Sequence, residues 1–571
     1  MRKVLSASLI VAALTSAAGA QPTPKALENY AREADALIQP YIKADAFSGT
    51  VLVAKDGKIL FQKAYGLADR EWNVANTLDT KFRLGSITKQ FTAAAILQLA
   101  EQGKLSIDDP ISKYYTDAPA SWAKVTIKHL LTHMSGIPSY TDIPGFFENQ
   151  TFNDLTPEGI IKLTRDKPLQ FEPGTQFRYD NSGYVLLGYV IERASGLAYA
   201  DYVQKHIFDV LGMRNSGYDS STTIIARRAS GYQPKGKGWQ NAAYLSMTLP
   251  YAAGSLYSTV GDLLIWDQAL YTDKALNAAS LKQQFTDYGN KYGFGWGIDK
   301  AYGHDLVSHG GGINGFATFI ARYPQERLLV VALSNYVDGP SFRLAAELAG
   351  QYYYDTGTKP AVATLSSAQL DAYVGKFQTA NSVITVARQG NELSFENTPL
   401  SQERPSPAHR MLALSQTEFV LAPLESKVAF TRDASGAVTA LTVNQNGAAT
   451  EAKRTTQAEI DSRTLALADR IKSNKPSAEA EAALRRIIAG IQSGQPPFEE
   501  LLPALANAMR PQMAALQSMA KGWGALKMLT FKGVGPAGAD IYEVEFEKAK
   551  TEWRIGPPVD GKVALLNFRP R

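Results

Sequence analysis

Ser86 and Lys89 have the clearest chemical potential in this sequence, because a hydroxyl and an amine lie three residues apart at the start of an apolar segment. On a helix, residues i and i+3 share a face, so the Ser86 Oγ and Lys89 Nζ atoms can meet. A serine hydroxyl is a weak nucleophile, but an amine kept neutral by desolvation can accept its proton. The spacing therefore predicts a nucleophilic serine. The structural alternative is a helix cap followed by a solvated lysine.

The Ser-x-x-Lys pattern occurs three times, since residues 121–124 and 518–521 also match it. Only Ser86 is followed by a long apolar segment, which includes residues 91–99 and ends near Gly103, a residue typical of helix ends. We therefore expect a buried helix whose first turn, with Ser86, opens into a cleft.

Tyr179 and Asn181 lie between a Pro-Gly turn at residues 173–174 and an apolar helix predicted over residues 184–191. A loop that leads into a helix can direct side chains into a cleft. The Tyr179 phenol can transfer a proton if nearby cations lower its pKa, and the Asn181 amide can bind both a substrate carbonyl and Lys89. The alternative is a packed tyrosine beside a helix cap.

His309 begins a run of three glycines, Gly310, Gly311 and Gly312, which ends a predicted strand. Glycines on an edge strand let a substrate lie close to the backbone and accept main-chain hydrogen bonds. The Gly312 and Ser86 N–H groups are predicted to form an oxyanion hole. His309 is predicted to donate to a substrate carbonyl or carboxylate, with a charge that depends on pH. The alternative is a glycine bulge with a surface histidine.

The elements that must position these residues predict an α+β domain over residues 25–355, with an antiparallel sheet, flanking helices and a helical region. A hairpin is expected at residues 50–66, with its turn at Asp56-Gly57. Further elements are a helix from 25 to 42, a mostly helical stretch from 86 to about 211, a helix over 259–270, strands over 292–298, 305–309, 316–323 and 328–334, and a helix over 343–354.

Two smaller modules are predicted after this domain. Residues 366–454 contain short strands and turn signals, which indicate a half-open β-barrel or sandwich. Residues 456–571 turn helical around 478–491 and return to alternating strands, with Tyr542, Val544 and Phe546 on one face. This indicates a small α+β module.

Composition narrows the functional classes. A chain of 571 residues with a net charge of +5 and no basic tract gives no indication of nucleic-acid binding. The absence of cysteine excludes disulfides and thiolate chemistry. His129 and His133 lie four residues apart, but no nearby glutamate or third histidine completes a metal site. We interpret them as part of a packed loop and expect no metal or organic cofactor.

The N-terminus predicts a signal peptide over residues 1–20. Arg2 and Lys3 precede an apolar stretch, and Ala18-Gly19-Ala20 fits a cleavage site after Ala20. The alternative is an uncleaved anchor. No later apolar run approaches the length of a membrane span, so we expect a periplasmic or secreted protein without stable membrane insertion.

Six motifs occur in a fixed order along the chain: Gly85-Ser-Ile-Thr-Lys89, Leu130-Leu-Thr-His-Met-Ser-Gly136, Phe171-Glu-Pro-Gly174, Tyr179-Asp-Asn181, Gly254-Ser-Leu-Tyr-Ser-Thr259 and His309-Gly-Gly311. With these motifs the sequence resembles the serine β-lactamase-related superfamily, in the branch that contains class C β-lactamases, D-aminopeptidases, DD-peptidases and related esterases. The resemblance covers about residues 46–355 and implies a β-lactamase/transpeptidase-like fold. The final module is also similar to cystatin-like α+β modules.

The resemblance implies a role for each matching residue. Ser86 would be the acylated nucleophile and Lys89 would help to deprotonate it. Tyr179 would act as general base and acid, and Asn181 would hold the substrate and orient Lys89. The backbone N–H groups of Ser86 and Gly312 would form the oxyanion hole.

Two positions depart from the family pattern. His309 stands where many members carry the lysine of a Lys-Thr-Gly box, and Gly311 stands at the glycine of that box. Because histidine is mostly neutral near pH 7, the grip on acidic substrates should weaken. His309, Gly310 and Gly311 are expected to line the substrate site. Asp180 replaces a commoner serine or alanine, and its carboxylate could hold a cation near Tyr179.

The sequence thus predicts an exported serine hydrolase that cleaves an ester or amide bond through an acyl-enzyme on Ser86. An esterase or a D-amino-acid or muropeptide peptidase is favoured, acting on a small molecule or short peptide. A β-lactamase or penicillin-binding protein is the alternative within the same chemistry. A non-catalytic binding protein on the same fold is the alternative of another class. The sequence does not define the oligomeric state.

Overall fold

The structure is a computed structural model that describes residues 24–570, apart from 144, 236–237, 357–361, 401–407, 423–425, 446–447, 536 and 560. The predicted signal peptide, residues 1–20, lies outside the described residues. Within them, no helix combines the length and apolar character needed to span a bilayer.

A six-stranded antiparallel sheet forms the centre of the first domain, in the order β10-β11-β12-β13-β1-β2. Its antiparallel pairing agrees with the short turns between consecutive strands in the sequence. The strands of this domain are β1 Gly49–Lys55, β2 Lys58–Tyr65, β3 Leu67–Asp69, β4 Val74–Ala75, β5 Phe82–Arg83, β6 Gly217–Tyr218, β7 Tyr232–Lys235, β8 Gly238–Asn241, β9 Leu256–Ser258, β10 Gly297–Ala301, β11 His304–Ile313, β12 Phe316–Tyr323 and β13 Leu328–Ser334.

Helices cover both faces of this sheet, and most lie in the stretch predicted to be helical. The second helix is buried nearly all round, because it runs through the middle of the helical region. The helices are α1 Pro24–Lys43, α2 Thr88–Glu101, α3 Ile127–Leu131, α4 Phe146–Asn149, α5 Pro157–Arg165, α6 Asn181–Ser195, α7 Tyr199–Val203, α8 Asp209–Leu211, α9 Tyr251–Gly254, α10 Val260–Ala269, α11 Ala278–Gln284 and α12 Ser341–Thr356.

Strand β1 shows how the sheet divides two hydrophobic cores. Successive side chains of a strand point to opposite faces. Val51 and Val53 therefore pack with α1 and α12, whereas Leu52 and Ala54 pack with the helical region around Phe91. Burial on both faces explains the continuous apolar run of this strand.

Two predicted strands have different bounds. The strand expected over 292–298 begins only at Gly297, because Gly295 has a φ of +76° and turns the chain where it passes the Lys89 carbonyl. The strand expected to end at His309 continues to Ile313, so the three glycines pair with β12.

The small β-module is a closed barrel and not the half-open barrel or sandwich that we expected. Its eight strands follow one another, and β14 pairs with β21 to close the ring. A short helix, α13 Ser367–Asp371, precedes it. The strands are β14 Gly375–Gln378, β15 Ser382–Gln389, β16 Glu392–Pro399, β17 His409–Ala413, β18 Glu418–Ala422, β19 Ser426–Arg432, β20 Val438–Gln445 and β21 Ala448–Thr455.

The last module packs helices against a four-stranded sheet in the order β22-β23-β24-β25. Tyr542, Val544 and Phe546 alternate with less buried residues on β23 and face its core. The elements are α14 Gln457–Ser473, α15 Ala478–Ser493, α16 Pro503–Met509, α17 Met513–Trp523, β22 Leu526–Val534, β23 Asp540–Phe546, β24 Lys550–Ile555 and β25 Leu566–Pro570.

Candidate active site

Ser86 lies on a 3-10 turn, Gly85–Ile87, that leads directly into α2. The Lys89 Nζ atom is 3.1 Å from the Ser86 Oγ atom, so the two side chains meet as their spacing predicts. The other two Ser-x-x-Lys serines, Ser121 and Ser518, are exposed on the surface. Ser86 is therefore the serine of this pattern that the fold couples to a buried amine.

Lys89 is fully buried and has three polar partners. Besides Ser86, its Nζ atom lies 2.9 Å from Asn181 Oδ1 and 2.9 Å from the Ala253 carbonyl oxygen. Burial lowers the pKa of Lys89 to about 7, although the charge of Asp180 acts in the opposite direction. An ammonium can donate to all three oxygens. A neutral amine can donate to two and accept the Ser86 proton, so both states are satisfied.

Asn181 is the first residue of α6, and the preceding Asp180 fixes this helix start. The Asp180 carboxylate accepts hydrogen bonds from the Ser182 and Gly183 N–H groups at 2.7 and 2.9 Å. Burial raises the pKa of Asp180 to about 7. Asp180 thus caps the helix and, through its charge, favours the ammonium form of Lys89. The Asn181 Nδ2 group donates to Thr141 Oγ1 at 3.1 Å, which orients the amide.

Tyr179 lies beside Lys89, whose Nζ atom is 4.9 Å from the centre of the phenol ring. Tyr179 is 37% exposed. Desolvation raises the pKa of its hydroxyl, and interaction with the Ser86 hydroxyl opposes this only in part. The phenol is therefore protonated at neutral pH. Of the general-base and general-acid roles that the family resemblance implies for Tyr179, a protonated phenol suits the general acid more readily.

Gly312 directs its backbone N–H away from the neighbouring strand. Ile313 and Phe316 flank a two-residue turn and form a hydrogen-bonded pair, so the next pair, Gly312 and Ala317, is not hydrogen-bonded. Strand β10 pairs with β11 only as far as Ser308. The N–H and carbonyl groups of Gly312 therefore point towards the open edge of the sheet.

Gly85 brings this edge close to the serine. Gly85 has a φ of +55°, and a β-carbon on it would lie 3.0 Å from the Gly312 nitrogen. On Gly311 a β-carbon would lie 1.9 Å from the Leu84 carbonyl oxygen. Glycine is thus required at both positions by the close approach of β11 to the turn that carries Ser86.

His309 does not present its ring to a substrate in this structure, which differs from the predicted role. Its Nδ1 group donates to the Gly310 carbonyl at 2.6 Å, and its Nε2 atom accepts a hydrogen bond from the Tyr292 hydroxyl at 2.9 Å. Burial, together with the charge of Lys89, lowers the pKa of His309 to about 4. His309 is therefore a neutral residue whose ring links the glycines of β11 to the loop that contains Tyr292.

His133 and His129 point in different directions, which does not support a shared metal site. The Nδ1 atom of His129 accepts a hydrogen bond from the Thr126 N–H and completes the N-terminal cap of α3. The Nδ1 atom of His133 accepts from the Asp180 N–H at 3.1 Å, and its ring lies 4.3 Å from the Tyr179 ring. In the part of the chain that the structure describes, no three His, Cys, Asp or Glu side chains converge as metal ligands.

A cleft of about 450 Å³ opens over the serine. Of the predicted site residues, Ser86, Asn181 and Gly312 line it. Lys89 lies behind them, in hydrogen-bond contact with Ser86 and Asn181. Gly311 is held by packing against Leu84.

Sequence reasoning missed several supporting residues. The Ala253 carbonyl, Thr141 and Tyr292 each hold a predicted site residue in place. Ala253 lies one residue before Gly254, which begins a motif that we did identify. Nothing in the local pattern of Tyr292 indicates that it pairs with His309.

The comparisons with known proteins agree with this fold. The profile of the Beta-lactamase family matches residues 34–354, which is more than half of the chain. The chain therefore belongs to the Beta-lactamase family, whose members are serine hydrolases and acyl transferases.

The chain is similar to several known proteins. Penicillin-binding protein 4* from Bacillus subtilis is 29% identical over 75% of this chain and 99% of its own length. The crystal structure of a penicillin binding protein from Bacillus halodurans is 32% identical and covers 55% of this chain and 98% of that one, with a TM-score of 0.51. A D-amino acid amidase from Ochrobactrum anthropi SV3 shares the fold, at 23% identity over 58% of this chain and 98% of its own, with a TM-score of 0.50.

Proposed function

We propose that this protein is a hydrolase that cleaves a small ester or amide through an acyl-enzyme on Ser86. The observation that carries the proposal is the contact of a buried Lys89 amine with the Ser86 hydroxyl, at 3.1 Å, on the wall of an open cleft. Because burial brings the pKa of Lys89 to about 7, a large fraction of the amine is neutral at physiological pH. A neutral amine in this position can act as the base.

In acylation, the Ser86 oxygen attacks the substrate carbonyl while its proton moves to Lys89. The negative charge that develops on the carbonyl oxygen would be stabilised by the N–H groups of Ser86 and Gly312. The second proton of the Asn181 amide nitrogen would hold a carbonyl of the substrate. The carbon–oxygen or carbon–nitrogen bond to the leaving group then breaks.

The leaving group takes a proton from the Tyr179 hydroxyl, and Tyr179 regains a proton from the Lys89 ammonium. In deacylation, water attacks the acyl carbonyl and gives a proton to Lys89. Lys89 returns that proton to the Ser86 oxygen as the carboxylic acid is released. Each residue thus ends the cycle in its starting state.

A neutral ester or a D-amino-acid amide is favoured over a β-lactam. The position of the family's lysine holds His309, which is neutral and whose ring nitrogens bond to Gly310 and Tyr292. A carboxylate beside the scissile bond would therefore lack a cationic partner at this position. The similarity to penicillin-binding proteins keeps penicillin binding as the second candidate, because a penicillin also acylates a serine of this kind.

Turnover of p-nitrophenyl acetate by the wild type, Ser86→Ala and Ser121→Ala tests the proposal. Ser121 lies in a second Ser-x-x-Lys pattern but is exposed, so it is a matched control. We expect loss of turnover only in Ser86→Ala. Mass spectrometry after separate incubations with a phosphonate, a penicillin and a D-alanyl ester should show an adduct on Ser86 with the phosphonate or the D-alanyl ester, and an adduct with the penicillin alone would favour the second candidate. If the wild type and Ser86→Ala hydrolyse the ester equally, the Ser86 mechanism is wrong. If both rates also equal that of spontaneous hydrolysis, a non-catalytic binding protein is favoured.

We also propose that the chain is exported, since residues 1–20 have the composition of a cleavable signal peptide. The N-terminal sequence of the protein recovered from a bacterial periplasm would begin at Gln21 if cleavage follows Ala20. A start at Met1 would contradict export with cleavage.

A further inference from the structure

The walls of the cleft are mostly apolar on the side formed by α4 and the loop before α9. Phe146 and Phe147 come from α4, whereas Leu245 and Leu249 come from the loop before α9. Phe146 is buried and packs edge-on against Phe147, with 5.3 Å between the ring centres. Phe147 is 51% exposed, so a large aromatic surface faces the space above Ser86.

The charges around this space are sparse. Among the described residues that line the cleft, Asp142 is the only charged one. Its carboxylate accepts a hydrogen bond from the Arg178 guanidinium at 3.2 Å, so this guanidinium is already paired with Asp142. Lys89 is directed at Ser86, Asn181 and Ala253 and does not face the open part of the cleft. A substrate carboxylate that lay along this wall would meet Asp142 and apolar side chains, and it would lose hydration without gaining a cationic partner.

We infer that the cleft selects a substrate that has no carboxylate and has an apolar acyl chain, which lies along Phe147 and away from Asp142. This inference rests on the proposed function and names the substrate class of the same site. The cleft volume of about 450 Å³ lies within the usual range for small-molecule sites, so a medium-length or branched chain can be accommodated. Burial of each methylene should raise kcat/KM by up to about fourfold.

A matched pair of esters tests the charge component. p-Nitrophenyl 6-methylheptanoate and p-nitrophenyl hemiadipate share the same four-methylene chain and end in an isopropyl group and a carboxylate, respectively. We expect kcat/KM to be at least tenfold higher for the isopropyl ester, after correction for spontaneous hydrolysis. Asp142→Asn should narrow this ratio by raising the value for hemiadipate only.

A chain-length series tests the apolar component. From p-nitrophenyl acetate to the hexanoate, kcat/KM should rise at least tenfold in the wild type. Phe147→Ala should lower kcat/KM for the hexanoate about fourfold or more relative to kcat/KM for the acetate. Phe152→Ala is the matched control, because Phe152 is also a surface phenylalanine, 69% exposed, but does not line the cleft. It should leave the series unchanged.

The outcomes separate the two proposals. This inference is overturned, and the proposed function stands, if hydrolysis depends on Ser86 but kcat/KM is equal for the charged and neutral esters. The same holds if Phe152→Ala and Phe147→Ala change the dependence of kcat/KM on chain length equally. If no ester is hydrolysed faster by the wild type than by Ser86→Ala, both are overturned.

Discussion

Gly85→Ala should separate the stability of this fold from the activity of its site. Gly85 has a φ of +55°, a conformation that costs a residue with a side chain about 1–2 kcal/mol. The added methyl group would also lie 3.0 Å from the Gly312 nitrogen and 3.1 Å from its carbonyl oxygen. Relief of these contacts needs a shift of a few tenths of an ångström. Since a 1 Å misplacement can cost about a hundredfold in rate, a shift of this size should lower kcat by about threefold to tenfold.

Gly103→Ala is the matched control for this substitution. Gly103 has a φ of +68°, so the backbone penalty is similar, but no atom lies within 4 Å of the position its β-carbon would take. Both variants should lose stability in thermal unfolding, Gly85→Ala at least as much as Gly103→Ala because of its added contacts with Gly312, and only Gly85→Ala should lose activity in steady-state ester hydrolysis. The placement of the Gly312 N–H beside Ser86 would be refuted if Gly85→Ala kept full activity, or if both variants lost the same fraction of their activity.

Other predictions follow from the same contacts. Because Lys89 must lose its proton and has a pKa of about 7, kcat/KM should rise about tenfold per pH unit below 7 and level off above it; a flat profile from pH 5 to 8 would contradict this. Asp180→Asn removes the charge that favours the ammonium, so the rising limb should move to lower pH, and an unchanged or upward shift would refute the coupling. His133→Phe keeps a ring beside Tyr179 but leaves the Asp180 N–H without its hydrogen-bond acceptor, whereas His133→Asn keeps an acceptor. In steady-state ester hydrolysis, kcat should therefore fall about tenfold more in the phenylalanine variant than in the asparagine variant, with KM nearly unchanged. Arg322→Met leaves the buried Asp267 carboxylate unpaired and should cost about 3–5 kcal/mol in urea unfolding, with partial recovery when Asp267→Asn is added.

Local spacing was sufficient to predict the centre of the site. The Ser86–Lys89 contact depends on one helical turn, and the apolar segment after it indicates that the amine is buried. The antiparallel sheet was also predictable, because turns of a few residues join its strands. Tyr179, Asn181 and Gly312 were chosen with the help of the family pattern, because nothing local indicates that they approach residue 86.

Long-range partners explain what the sequence did not predict. The ring of His309 is turned by Tyr292, a residue of a separate loop whose bounds depend on the backbone of Gly295. The barrel closes because β14 pairs with β21, and neither strand carries a signal for a partner so far along the chain. The pKa of the Tyr179 hydroxyl is raised by desolvation and not lowered by nearby cations, and residue types alone do not reveal this.

The Lys89 contacts have a consequence for refolding. Its partners Asn181 and Ala253 are 92 and 164 residues away in sequence, and the Thr318 hydroxyl donates to the Leu84 carbonyl across 234 residues. Helices form from local contacts, whereas these pairings require large loops to close first. Reactivity of the serine should consequently return after the helical circular-dichroism signal has recovered. A covalent serine probe would then report the last stage of chain assembly.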